Sequence, residues 1–329
     1  MHRAHAAVAA PRGGGGRRAR RATTCALLLL ALVLLGLRAS RGSWFPTRET
    51  SARDADDDAA PSRDPSPAAD AAPWAGGSGA RPAILLLGDS LVQRSFEPGG
   101  WGARLAAEYA RTADVVLRGY SGYNTRWLRD LMTRRPELFP PPDRVALLVV
   151  LVGANDAARP EGHKSHYAVP AAEYEENLRW IVRRYRRSPS ATSAPAIVVA
   201  TPPPLDEDAR MRMTTDAKGM PASLLDRSEA RTREYSRIAA RVGGEFGAGV
   251  ADLGAAFEGR GKDWRAALLS DGLHFTPEGQ ALAHETVAAA TPSEARPDAL
   301  AMDAPTHEAL VGANNTNDWH GHLAEMGVA

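Results

Sequence analysis

Residues 84–93 read ILLLGDSLVQ. An apolar run stops at Gly88, Asp89 and Ser90 follow, and the chain then turns apolar or amphipathic again. A continuous apolar run marks a strand covered on both faces, as in a parallel sheet flanked by helices, whereas a half-exposed strand would alternate. Ser90 therefore falls where a buried strand ends, and it is either a turn residue or a nucleophile.

Working outward, the run AILLLG (83–88) has four companions: DVVLRG (114–119), VALLVVLVG (145–153), AIVVAT (196–201) and a weaker AGVADL (248–253). All five are expected to be strands buried on both faces. The stretches GWGARLAAEYART (100–112), NTRWLRDLMTRR (124–135), AAEYEENLRWIVRRYRR (171–187) and DRSEARTREYSRIAARVGGEF (226–246) have helical spacing with charged outer faces. TPEGQALAHETVAAA (276–290) adds a last helix, with Thr276 as N-cap and Pro277 at the first helical position. The alternation predicts a three-layer α/β/α domain over 82–290.

The flanks differ in kind. Nine of the 40 basic residues, all arginine, lie in positions 1–48 with no acidic residue among them, leaving 31 basic against 39 acidic residues in the remainder. That balance argues against nucleic acid as a partner. RRARR (17–21) precedes the apolar run 23–37, whose length falls between the core of a signal peptide and a full membrane span. Residues 1–41 are thus expected to route the chain to the secretory pathway as an uncleaved anchor, with the bulk lumenal. A cleaved signal and an organelle transit peptide are the alternatives. Residues 42–81, rich in Ala, Pro, Asp and Ser, are expected to be a disordered linker, and 291–329 a flexible tail. The tail carries a glycosylation sequon at Asn314, and His320 and His322 read as solvated rather than metal-binding. The single cysteine, Cys25, excludes an intrachain disulfide and a cysteine-based zinc site.

Open parallel sheets bind ligands outside the carboxyl ends of their strands. The first strand ends in Gly88-Asp89-Ser90, the second in RGYSGYNT (118–125), the third in GAND (153–156), and SDGLHFTPEG (270–279) follows the last. A serine hydroxyl needs an adjacent base, which His274 supplies, and the imidazole needs a carboxylate on its other nitrogen. Asp271 reaches it if residues 271–274 form a turn. The tetrahedral intermediate needs donors, for which the N–H of Ser90, the N–H of a glycine after the second strand and the side-chain amide of Asn155 are candidates. Each piece alone has a plainer reading, as turn, helix cap, Asx-turn or surface histidine. Together, in order and on one rim, they point to catalysis.

These blocks, GDSL (88–91), SGYNT (121–125), GAND (153–156) and DGLH (271–274), resemble those of the SGNH or GDSL hydrolases. GGWGARLA (99–106), VPAAEYEENL (169–178), TPPPLDE (201–207) and LSDGLHFTPEG (269–279) further resemble the isoamyl acetate-hydrolysing esterase branch. The resemblance implies a flavodoxin-like five-stranded parallel sheet, order 2-1-3-4-5, with no metal and no cofactor. It implies Ser90 as nucleophile, Asp271 and His274 completing a triad, and Ser90, Gly122 and Asn155 forming the oxyanion hole. The expected activity is hydrolysis of short-chain, chiefly acetyl, carboxylic esters, with a small-molecule ester as partner. Acyl transfer to a sugar or lipid hydroxyl, lysophospholipase or thioesterase activity, and a silent binding module are the alternatives. Leu117 stands where that family often has asparagine. Arg159, His163 and His166 are expected to be loop residues.

Overall fold

The computed structural model describes residues 81–186 and 194–302. Five parallel strands, β1 (Ala83–Gly88), β2 (Asp114–Gly119), β3 (Val145–Leu151), β4 (Ala196–Ala200) and β5 (Gly249–Ala251), form one sheet in the order β2-β1-β3-β4-β5. Among the described residues the α-helices are α1 (Ser90–Gln93), α2 (Trp101–Glu108), α3 (Thr125–Arg134), α4 (Ala171–Arg186), α5 (Glu207–Arg212), α6 (Glu229–Glu245), α7 (Leu253–Glu258), α8 (Trp264–Leu268) and α9 (Pro277–Ala290). The flavodoxin-like three-layer α/β/α class expected from the sequence is the fold observed.

Side chains alternate across each strand, so a run buried on both faces must feed two cores. On β1, β3 and β4, Ile84, Leu86, Leu147, Val149, Leu151 and Val198 pack with Trp101, Leu105, Phe257, Leu282 and Val287 from α2, α7 and α9. Their neighbours Leu85, Leu87, Leu148, Val150, Ile197 and Val199 face Leu128, Leu178, Ile181, Ile238 and Val242 from α3, α4 and α6. Trp101 is fully buried and ties one layer together: its Nε1–H donates to the Leu91 carbonyl at 3.0 Å and its backbone N–H to Gln280 Oε1 at 3.1 Å.

Two expectations need correcting. Neither edge strand is buried on both faces: β5 is half-buried at Gly249 and Val250, and β2 has Asp114 exposed and its other residues half-buried. Apolar content cannot separate it from a central strand, because Val115 and Leu117 still touch one core and Val116 the other. The packed chain also runs past 290, where a free tail was expected to begin. Ala295 is buried, its carbonyl accepts the Tyr109 hydroxyl at 2.6 Å, and Leu300 packs on the same core. The short helices α1, α5, α7 and α8 went unread because four to six residues are too few to show a 3.6-residue period.

The apolar run 23–37, Cys25, the linker up to residue 80, Asn314, His320 and His322 lie outside the described residues. Among the described residues no helix is long and apolar enough to cross a membrane.

The strand ends are level. Gly88 pairs with Gly119 of β2 on one side and Leu151 of β3 on the other. A Cβ on Gly88 would sit 1.9 Å from the Leu151 carbonyl oxygen and 2.6 Å from Val92 Cγ2, so only hydrogen fits where β1 turns into α1. Overpacking at a backbone contact costs about 1–3 kcal/mol or more. Gly88→Ala is therefore expected to lower the melting temperature by several degrees, measured by thermal denaturation, whereas unchanged stability would contradict the contact.

Candidate active site

Ser90 is the first residue of α1, and Asp89 caps that helix by accepting the Leu91 N–H at 2.9 Å. Its own N–H is thus one of the donors that a helix start leaves without an intrahelical partner. Ser90 is 7% exposed, and its Oγ lies 3.0 Å from His274 Nε2. The histidine arrives on a tight hairpin closed by the Leu269–Phe275 bridge and by Ser270 N–H donating to the His274 carbonyl at 2.8 Å. Inside it, Asp271 Oδ1 accepts the backbone N–H groups of Leu273 and His274 at 3.0 and 2.8 Å, while Oδ2 lies 2.9 Å from His274 Nδ1. The three-residue spacing thus closes as the turn the sequence required. Burial works to raise the Asp271 carboxyl, but hydrogen bonds from the His274 ring and backbone, the His274 charge and Arg210 outweigh it and hold it well below the usual carboxylate range.

Gly122 and Asn155 emerge from the strands on either side of β1. Gly122 has φ of 82°, a left-handed conformation that L side chains rarely adopt, in the loop closed by Tyr123 N–H donating to the Tyr120 carbonyl. A side chain there would also press on Tyr167, whose hydroxyl lies 3.3 Å from the Cβ position. Tyr123, Trp127 and Tyr167 make edge contacts at 6.0 and 5.7 Å beside it. Asn155 is 6% exposed, and its Nδ2 donates to the Tyr123 carbonyl at 2.9 Å. Its Oδ1 accepts from Arg227 Nη2 at 2.9 Å. Guanidinium only donates, so the amide oxygen must face Arg227 and the amide nitrogen must face the rim. One of its two hydrogens stays available for a ligand.

The loops are laced from below by buried carboxyls. Asp156 is fully buried and accepts the Thr125 N–H at 3.0 Å and the Thr125 hydroxyl, joining the third block to the start of α3. Asn124 caps the same helix, accepting the Trp127 N–H at 2.9 Å. Burial pushes the Asp156 carboxyl up to about 7 against the lowering effect of Thr125. Asp89 is likewise fully buried, with Oδ2 lacking a hydrogen-bond partner. Desolvation pushes it up to about 7, with Asp156 adding to the rise and the Leu91 N–H and Arg227 opposing it.

All five sequence-proposed site residues lie on this rim or on the hairpin that reaches it. Sequence reasoning missed Arg210 and Arg227, because a buried arginine is indistinguishable in sequence from a solvated one. Arg159 pairs with Glu161 at 2.7 Å, and His163 lies against the Leu224 carbonyl and Lys218. The His166 ring packs at a tilt of 47° against Tyr167, with ring centroids 4.2 Å apart.

A parallel sheet that brings a hydroxyl, an imidazole and a carboxylate into hydrogen-bonded series at its carboxyl rim is the architecture of an acyl hydrolase. The model of the GDSL-like Lipase/Acylhydrolase family matches residues 86–282, and the chain belongs to that family. It is 36% identical over 242 residues to a GDSL esterase/lipase of Arabidopsis thaliana, covering 71% of this chain and 96% of that protein. It is 39% identical over 199 residues to the isoamyl acetate-hydrolyzing esterase 1 homolog of Bos taurus, covering 60% and 76%. A solved catalytic mutant of an acetylxylan esterase from Geobacillus stearothermophilus is 20% identical with a TM-score of 0.48, over 64% of this chain and 93% of that one. The chain is a carboxylic-ester hydrolase.

The buried carboxyls set a pH signature. Asp89 and Asp156 rise from an ordinary 3.8 to about 7 on folding, so between those values the folded chain holds protons that the unfolded chain releases. Stability from this source is greatest below about pH 4 and falls as pH rises to about 7. Asp271 acts in the opposite sense, its contribution present above 3.8 and lost only as pH falls below it. Denaturant titrations are expected to show stability declining from about pH 4.5 to 7, with Asp89→Asn flattening the slope; an unchanged slope in that variant would refute the assignment.

Proposed function

We propose that the protein is a serine carboxylesterase acting on short-chain esters, acetyl esters foremost, through Ser90, His274 and Asp271. The observation that carries this reading is the unbroken series from Ser90 Oγ to His274 Nε2 at 3.0 Å and from His274 Nδ1 to Asp271 Oδ2 at 2.9 Å. Ser90 Oγ attacks the ester carbonyl while His274 Nε2 takes its proton. Asp271 holds Nδ1–H in the correct tautomer and stabilises the imidazolium. The negative charge developing on the carbonyl oxygen falls to the N–H groups of Ser90 and Gly122 and the Asn155 amide. His274 then returns the proton to the departing alcohol, and the acyl group remains on Ser90. Water, deprotonated by His274, attacks the acyl-enzyme, releasing the carboxylic acid and restoring the serine. The acetyl preference is supported by relatives named for isoamyl acetate hydrolysis.

On p-nitrophenyl acetate, Ser90→Ala is expected to lower kcat by about 10⁴-fold or more and to abolish fluorophosphonate labelling, while Asn155→Ala lowers kcat by about 10²–10³-fold. Wild-type turnover by Ser90→Ala would end the proposal.

We also propose that residues 23–37 anchor the chain in a secretory-pathway membrane, leaving the catalytic domain lumenal. The support is the arginine-rich flank preceding a leucine-rich run. In sealed microsomes the full chain is expected to resist alkaline extraction and to keep its catalytic domain protected from protease; digestion without detergent would overturn the topology.

A further inference from the structure

The two ends of the site are held by two arginines: Arg227 sits on the Asn155 amide, and Arg210 Nη1 lies 3.4 Å from Asp271 Oδ2. Both converge on one carboxylate. Asp226 is fully buried, and Arg210 and Arg227 are only 3% and 1% exposed. Arg210 grips Asp226 with its fork, Nη2 to Oδ2 at 2.5 Å and Nε to Oδ1 at 3.4 Å. Arg227 Nη1 donates to the Asp226 carbonyl at 3.1 Å and lies 3.7 Å from Oδ2, with Lys164 Nζ at 3.9 Å.

A guanidinium removed from water needs a counter-charge, and this one carboxylate serves two of them. Burial works to raise the Asp226 carboxyl, but Arg210, Arg227 and Lys164 outweigh it and hold it below the usual range. The backbone is fixed as well. Arg159 N–H donates to the Asp226 carbonyl at 2.9 Å and His163 N–H to the Leu224 carbonyl at 3.0 Å, which ties residues 224–226 to the loop after β3. Asp226 thus lies where the Asn155 loop, α5 and the 271–274 hairpin meet.

Building on the catalytic reading above, we propose that Asp226 is a positioning residue for both halves of the site: through Arg227 it fixes which end of the Asn155 amide faces the reacting carbonyl, and through Arg210 it holds the Asp271 carboxylate against His274. Charge develops at these two ends together, on the carbonyl oxygen and on the imidazole. A group that fixes both affects the transition state more than the bound ester, so its loss lowers kcat with little change in KM.

The test is steady-state kinetics on p-nitrophenyl acetate with D226N, R227K, N155A and the R227K/N155A double variant, each checked for fold by circular dichroism. D226N is expected to lose about 10- to 100-fold in kcat, less than loss of an oxyanion donor outright, with KM changed less than about threefold. R227K is expected to lower kcat in the wild-type background and to have no further effect once Asn155 is alanine, because Arg227 acts through that amide. Should D226N not fold, D226E takes its place with the same expected loss in kcat, and the R227K/N155A cycle reads the Arg227 arm. Wild-type kcat in folded D226N, or an R227K effect of equal size in both backgrounds, would overturn the proposal while Ser90 still reacts with a fluorophosphonate. Absence of that labelling in the wild-type chain would instead overturn the catalytic reading and this proposal with it.

Discussion

The structure depends on one steric constraint, the contact between the end of β1 and its neighbour β3. Gly88 meets the Leu151 carbonyl with no room for a side chain, so β1 ends flush with β3 and, through Gly119, with β2. Three adjacent strands therefore finish at the same height, and the residues that follow them share one rim. The two-sided core enforces this, since shifting β1 by one residue would exchange Ile84 and Leu86 with Leu85 and Leu87 and reverse both packed faces.

Above that contact the chemistry is sorted by what surrounds each carboxyl. Asp89 and Asp156 lie beneath the loops, where burial disfavours charge and pushes both up to about 7, and they serve as acceptors that hold α1 and α3 in place. Asp226 is also fully buried and Asp271 half-buried, yet each has cationic or N–H partners that keep it ionised. Two carboxyls thus brace the backbone where burial disfavours their charge, and two act as anions toward an imidazole and a pair of guanidiniums. Identical side chains take different parts because desolvation wins at one pair and charge pairing at the other.

Much of this was legible in the sequence. Continuous apolar runs mark strands covered on both sides, and the strand-end rule gathers Ser90, Gly122 and Asn155 on one rim. The i, i+3 spacing of Asp271 and His274 anticipates a turn that places the carboxylate on the ring. The limits were equally physical. β2 reads like a central strand because composition reports what a segment touches, not how many neighbours it has. The packing of Ala295 was invisible because small residues next to prolines carry no period. Arg227 read as one more charge on a helix's outer face and Arg210 belonged to no segment read as a helix, since an arginine buried against a carboxylate is spelled the same way as one in water.

The sequence by itself determined the alternation of strand and helix, hence the α/β/α class, and the residue types that meet at the strand ends. These follow from local rules: apolar period, capping side chains and the sparse allowed conformations of a turn. The tertiary structure alone decided which carboxyls are charged, which way the Asn155 amide faces, and that Asp226 lies between two arginines from different segments. Those properties arise from desolvation and from contacts between distant parts of the chain, and no local pattern encodes them.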